Sequence, residues 1–153
     1  MKILGKGLVG LFCLILGNGA HAACRVTTIG LDFGAYDVFA AVPRDTAGTV
    51  TVACDQNPPT DVIVSIGTSS TSGGFHPRRM RHTTLPDRLD YNLFTDPTIG
   101  TVWGNGSAGT STVLLSKVNK NRPVTTKIYG RIPPRQNVSV GVYSDSVTVT
   151  ITP

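Results

Sequence analysis

The closing stretch of the chain constrains its fold more than any other segment. Across residues 142–152 apolar and polar side chains alternate: Val147, Val149 and Ile151 fall on one face, and Ser146, Thr148, Thr150 and Thr152 on the other. A two-residue period belongs to a half-buried β-strand, not to a helix. Such a strand pairs along both edges or leaves main-chain groups open to other chains. Which segment or chain supplies the neighbour of this strand is the question the alternation raises, and on the pattern alone an ordinary core strand of a closed sandwich answers it.

The same punctuation runs through the rest of the chain. Strand-like runs occupy residues 25–33, 49–54, 62–66, 91–95, 112–118, 126–132 and 138–143. Between them lie turn signals such as Asp55-Gln56-Asn57-Pro58-Pro59, Asp96-Pro97 and Pro133-Pro134. No window of about eleven residues carries a 3.6-residue period, so no long helix is expected. All 9 acidic side chains are Asp, which removes a common helix former and leaves strand and turn chemistry dominant. The expected fold is all-β: a single sandwich of two antiparallel sheets over residues 23–153.

The N-terminal segment predicts export. Lys2 and Lys6 precede an apolar run over residues 8–16, and Ala20-His21-Ala22 follows as a small-x-small cleavage site. That order describes a secretory signal peptide over residues 1–22. The run is shorter than the roughly 20 apolar residues that span a bilayer, so no membrane span is expected. Loss of Lys2 and Lys6 leaves 12 basic side chains against 9 acidic ones, too mild an excess to predict a nucleic-acid partner.

Two cysteines remain after that cleavage, Cys24 and Cys54. In an exported chain they are expected to form one disulfide, worth about 3–4 kcal/mol by chain entropy. No Cys-x-x-Cys motif favours a redox pair, and a bond between chains is the remaining alternative. Signs of catalysis are poor. His76 and His82 lack a metal-ligand spacing, no nucleophile-elbow motif is present, and Gly104-Asn105-Gly106 lacks the strand–helix setting of a phosphate loop. The chain therefore reads as a non-enzyme without cofactor or metal. Its basic segment, with Arg78, Arg79 and Arg81, reads first as a solvated loop or strand edge whose stems cover apolar surface, and secondly as a possible surface contact for anionic polysaccharide or lipopolysaccharide. Trp103 either anchors the core under its turn or offers a loop contact, with Ile99 and Val102 beside it.

An ordered set of residues carries a resemblance. It comprises Cys24, Phe33-Gly34-Ala35-Tyr36, the run 48–54, Arg79-Met80, the run 89–96, Trp103-Gly104-Asn105-Gly106, the run 128–132 and the run 141–150. In order and spacing these resemble the spore coat protein U domain family, shared with subunits of Csu-type archaic chaperone–usher pili. The resemblance implies a pilin-type fold, an incomplete immunoglobulin-like sandwich lacking its final strand. A periplasmic pilus chaperone, then other pilus subunits delivered through an outer-membrane usher, would lend that strand by edge addition. On this implication Val147, Val149 and Ile151 line one wall of an acceptor groove, and Ile29, Leu31 and Phe33 the other. Export to the cell surface, attachment and biofilm formation follow as expectations. Only Ala23 separates the expected cleavage site from Cys24, so a subunit that accepts a strand without donating one, at a terminal position in the fibre or in a non-polymerising role, is also expected. The alternative expectation is a self-contained extracellular coat or carbohydrate-binding module.

Overall fold

A computed structural model of the chain describes residues 23–153; the expected signal peptide, 1–22, lies outside the described residues. Nine strands follow one another: β1 (Cys24–Ile29), β2 (Arg44–Cys54), β3 (Thr60–Ile66), β4 (Arg78–His82), β5 (Arg88–Phe94), β6 (Val113–Val118), β7 (Val124–Ile132), β8 (Tyr143–Ser144) and β9 (Val149–Thr152). The described residues contain no helix. One sheet has the order β1-β2-β7-β5-β4-β8 and the other the order β6-β3-β9, with every pairing antiparallel.

Period-two alternation builds the core. Val50, Val52 and Cys54 of β2, Val62, Val64 and Ile66 of β3, Leu89, Tyr91 and Leu93 of β5, and Ile128 and Ile132 of β7 all turn inward and are buried. Each strand thereby presents one apolar face to a shared interior, which fixes its register, since a one-residue slip would expose the whole set. Cys24 stands directly across from Cys54 in the β1–β2 ladder, and the two form the expected disulfide.

Two expectations about strand extent are corrected. The first strand was expected to run to residue 33, but the ladder with β2 ends at Ile29. Beyond it the chain leaves the sheet edge and lays Leu31 and Phe33 over β2 and β7. Gly48 and Gly130 make the room: a Cβ on Gly48 would meet the Ile29 carbonyl and Leu31, and one on Gly130 would collide with Leu31 and Phe33. Arg44 Nε holds the crossing by donating to the Phe33 carbonyl at 2.7 Å, and the Tyr36 hydroxyl does so by donating to the Pro133 carbonyl at 2.8 Å. The second correction is β4, a strand where the sequence suggested a loop or strand edge. Arg78, Met80 and His82 point inward and Arg79 and Arg81 outward, so a strand period is present but two of its three inward positions are polar.

Candidate functional site

The final strand serves both sheets. At β8 it pairs with β4, at β9 it pairs with β3, and residues 145–148 cross from one sheet to the other between them. Its hydrogen bonds all lie on one edge. The Val142 carbonyl accepts from the Thr83 amide at 3.0 Å, the Ser146 carbonyl from Ser70 at 3.2 Å, and the Thr148 carbonyl from Gly67 at 2.8 Å. In an extended strand, main-chain groups of alternate residues face the same edge, so even-numbered residues fill the bonded edge. The Ser65–Thr150 and Ile63–Thr152 pairs continue that parity. The main-chain groups of Val147, Val149 and Ile151 therefore face the other edge, which no strand pairs among the described residues.

Side chains on that edge are apolar and incompletely covered. Val147, Val149 and Ile151 are half-buried and pack against the core from one side. At the opposite margin of the larger sheet, β1 also has one unpaired edge. There the Ala23 carbonyl accepts from Asp55 at 2.9 Å, so odd residues of β1 fill its bonded edge and Cys24, Val26 and Thr28 face the open one. Among the half-buried apolar side chains that pack on the core, Val26, Leu31, Val138, Val147, Val149 and Ile151 all belong to these two segments or their extensions. A strand edge with bare amides and carbonyls above a partly covered apolar floor can take up an extended peptide. Its main-chain groups would bind any sequence, and the floor would select alternate apolar side chains.

The residues expected on the first-strand wall have diverged. Leu31 is half-buried and Phe33 is buried, its ring edge-on to Tyr91 at a centroid distance of 6.2 Å. Ile29 is 66% exposed and lies on the outer face of β1. Its phase is set by Cys24: with the disulfide turned inward, Val26 and Thr28 follow it and Ile29 cannot. Val26 is the apolar residue that sequence reasoning missed, and the parity of Cys24 was the signal that could have found it.

Arg78 and Trp103 are corrected as surface contacts, because both are 0% exposed. The Arg78 guanidinium donates to the Gly67 carbonyl at 2.8 Å, to Asn92 Oδ1 at 2.8 Å and to the Trp103 carbonyl at 2.8 Å, and its Cζ lies 5.2 Å from the centre of the Phe75 ring. Burial lowers its pKa to about 10 from the ordinary 12.5. The Trp103 indole donates to the Val64 carbonyl at 3.1 Å. Both side chains hold the loop of residues 67–77 and the turn at 103–110 onto the core. Arg79 and Arg81 do face solvent, Arg79 in an ion pair with Asp90 at 2.9 Å. His82 is buried: its Nδ1 accepts from the Leu85 amide at 2.9 Å and from Thr84 at 3.1 Å, leaving Nε2 to donate to the Val140 carbonyl at 3.2 Å. Both ring nitrogens are thus committed to the fold, and His76 bonds elsewhere, to the Ala108 carbonyl at 2.9 Å.

No helix among the described residues is long and apolar enough to cross a membrane, and no group of three or more His, Cys, Asp or Glu among them could hold a metal ion.

The crystal structure of the E. coli Hda pilus minor tip subunit, HdaB, overlaps 83% of this chain and 79% of its own at 15% identity and a TM-score of 0.43, too loose a likeness to carry an argument. Protein U of Myxococcus xanthus is 33% identical over 152 residues, covering 94% of this chain and 79% of that protein. The profile of the Spore Coat Protein U domain matches residues 12–150. On the strength of that span and that identity, the chain belongs to the Spore Coat Protein U domain family.

Proposed function

We propose that this chain is an exported, non-enzymatic structural subunit that receives a β-strand from another chain, in the manner of a pilin-type, incomplete immunoglobulin-like sandwich. The observation that carries the reading is the unpaired edge at Val147, Val149 and Ile151, where bare main-chain groups lie above half-buried apolar side chains. Family membership and the resemblance to Csu-type pilus subunits support it. In this reading a periplasmic chaperone first fills the edge, an outer-membrane usher handles the complex, and other pilus subunits replace the chaperone's strand at the cell surface. Attachment and biofilm formation would be the assembled fibre's contribution.

Strand acceptance follows from the physics of the edge. A donor of about seven to ten residues, rising about 3.3 Å each, would place an alternate side chain between the β1 and β9 margins while its main chain bonds to the final strand. The experiment is export of the chain with and without a co-expressed pilus chaperone. A strand acceptor is recovered in a one-to-one complex with the chaperone, and is degraded or multimeric without it. A soluble, cooperatively unfolding monomer obtained without any chaperone would instead favour the second reading, a self-contained coat module, which the family's name supports.

A further inference from the structure

Arg81 on β4 stands directly opposite Arg88 on β5. The His82 amide donates to the Asp87 carbonyl at 3.1 Å, which makes 82/87 a hydrogen-bonded pair and 81/88 the adjacent non-hydrogen-bonded pair. That is the closer of the two antiparallel spacings, with Cα atoms about 4.5 Å apart. Both side chains are on the exposed face, and like charges so placed destabilise a ladder. On the same two strands and the same face, Arg79 is opposite Asp90 and forms an ion pair with it at 2.9 Å. The 81/88 position lacks any such acid. Among the described residues neither arginine has a carboxylate partner, and Arg88 spends only Nη1, on the Pro86 and Asp87 carbonyls.

Arg81 and Arg88 both line a cavity of about 230 Å³. Ser144, which pairs with Arg81 from the other side, extends the row across three strands, and Ser146 follows it along the wall. The hydroxyls of Ser144 and Ser146 make no hydrogen bond with other described residues. Asp145 also lines the cavity but is already satisfied. Its Oδ1 accepts from the Ser70 hydroxyl at 2.8 Å and the Thr71 amide at 3.2 Å, and its Oδ2 accepts from the Tyr91 hydroxyl at 2.7 Å. That carboxylate braces the wall without pairing to either arginine, so the lining carries the two positive charges of Arg81 and Arg88 against the one negative charge of Asp145.

We propose that this cavity binds an acidic sugar unit of the uronic-acid class. Its carboxylate would bridge Arg81 and Arg88, and its ring hydroxyls would bond to Ser144 and Ser146. Guanidinium groups suit a carboxylate because they present parallel N–H donors to its two oxygens. The volume falls below the roughly 300–1,000 Å³ of pockets for drug-sized ligands, so the cavity suits one sugar unit of a polymer. The site uses exposed side chains of the final strand next to Val147, whereas strand acceptance uses that strand's open main-chain edge, so it needs no donor strand.

The test is titration of D-glucuronate into the exported chain, purified with any bound partner, against D-glucose and acetate. Glucuronate is expected to bind at low ionic strength, to weaken as salt rises, and to perturb the amides of Thr71, Arg81 and Ser144. R81S and R88S are each expected to weaken it at least tenfold, while R25S, on β1, leaves it unchanged. Without ligand, R88S should unfold at the same or a slightly higher temperature, because it removes a like-charge pair. Unchanged affinity in R88S would overturn the proposal. So would acetate binding as tightly as glucuronate, which would leave an anion site without sugar recognition, or glucose binding as tightly, which would leave the arginines without a role.

Discussion

Arg78 and Trp103 form a single buried brace: the guanidinium donates to the Trp103 carbonyl at 2.8 Å while the Trp103 indole donates to the Val64 carbonyl at 3.1 Å. One cation thus ties β4 to the turn after β5 and, through the indole, to the central strand of the smaller sheet. Three acceptors converge on it: the Gly67 carbonyl, Asn92 Oδ1 and the Trp103 carbonyl. Replacing Arg78 by Ala strands them without water, at about 1–3 kcal/mol for each group left unsatisfied. Arg78→Ala is expected to lower stability by at least about 3 kcal/mol in urea unfolding. Arg78→Lys should rescue little of this, because an ammonium on a flexible stem lacks the planar fork that reaches all three.

The disulfide closes a loop with a sequence separation of 30. The paired substitution Cys24→Ser with Cys54→Ser is expected to cost about 3–4 kcal/mol in urea unfolding, with a steeper slope because the unlinked denatured chain exposes more surface. Freeing the first strand should also raise hydrogen exchange across β1 before it does so in β7.

Gly130 is where β7 lets the crossing segment down onto the sheet. A methyl group there collides with Leu31 and Phe33, so Gly130→Ala is expected to cost about 1–3 kcal/mol through overpacking, despite the higher strand propensity of Ala. A shortened crossing side chain should relieve it. Gly130→Ala combined with Leu31→Ala is expected to be less destabilised than the sum of the two single variants in a double-mutant cycle.

Acid should weaken the fold in a defined window. Asp45 is held below the ordinary carboxylate value of 3.8 by hydrogen bonds from Arg131, Asp87 by hydrogen bonds from Ser139, and Asp96 by hydrogen bonds from Thr98 and following amides. A depressed folded-state value means that the unfolded chain binds protons first. The stabilisation is therefore complete above the unfolded value and is lost as pH falls through it and on through the folded values. Urea midpoints are expected to be flat from pH 6 down to about pH 5 and to fall steadily towards pH 2. Asp45→Asn should reduce the acid sensitivity.

Legibility followed periodicity. Wherever inward positions were all apolar, as at Val50, Val52 and Cys54 or at Val62, Val64 and Ile66, alternation marked the strand and its buried face. It failed at β4, because Arg78 and His82 occupy inward positions and are made tolerable by acceptors at Gly67, Trp103 and Val140. Those partners lie 11, 25 and 58 residues away, beyond the reach of any local pattern. In β1 the apolar residues Val26 and Ile29 are an odd number of positions apart, so hydrophobicity alone left the phase ambiguous until the inward Cys24 decided it. The final stretch was legible as extended, but its bend at residues 145–148, which splits it between two sheets, was not. Arg88 escaped notice as a site residue because only the β4–β5 register places it against Arg81.

The most direct measurement of the central claim is amide exchange in the final strand, with and without a strand fused after Pro153 through a short turn. In the unfused chain Thr150 and Thr152, bonded to β3, should exchange slowly, whereas Val147, Val149 and Ile151 exchange fast. Fusion of an alternating apolar strand should slow those three amides by at least a hundredfold, raise the unfolding midpoint and yield a monomer. If Val147, Val149 and Ile151 are already protected in the monomeric unfused chain, or if fusion changes neither exchange nor oligomeric state, the edge is not an acceptor.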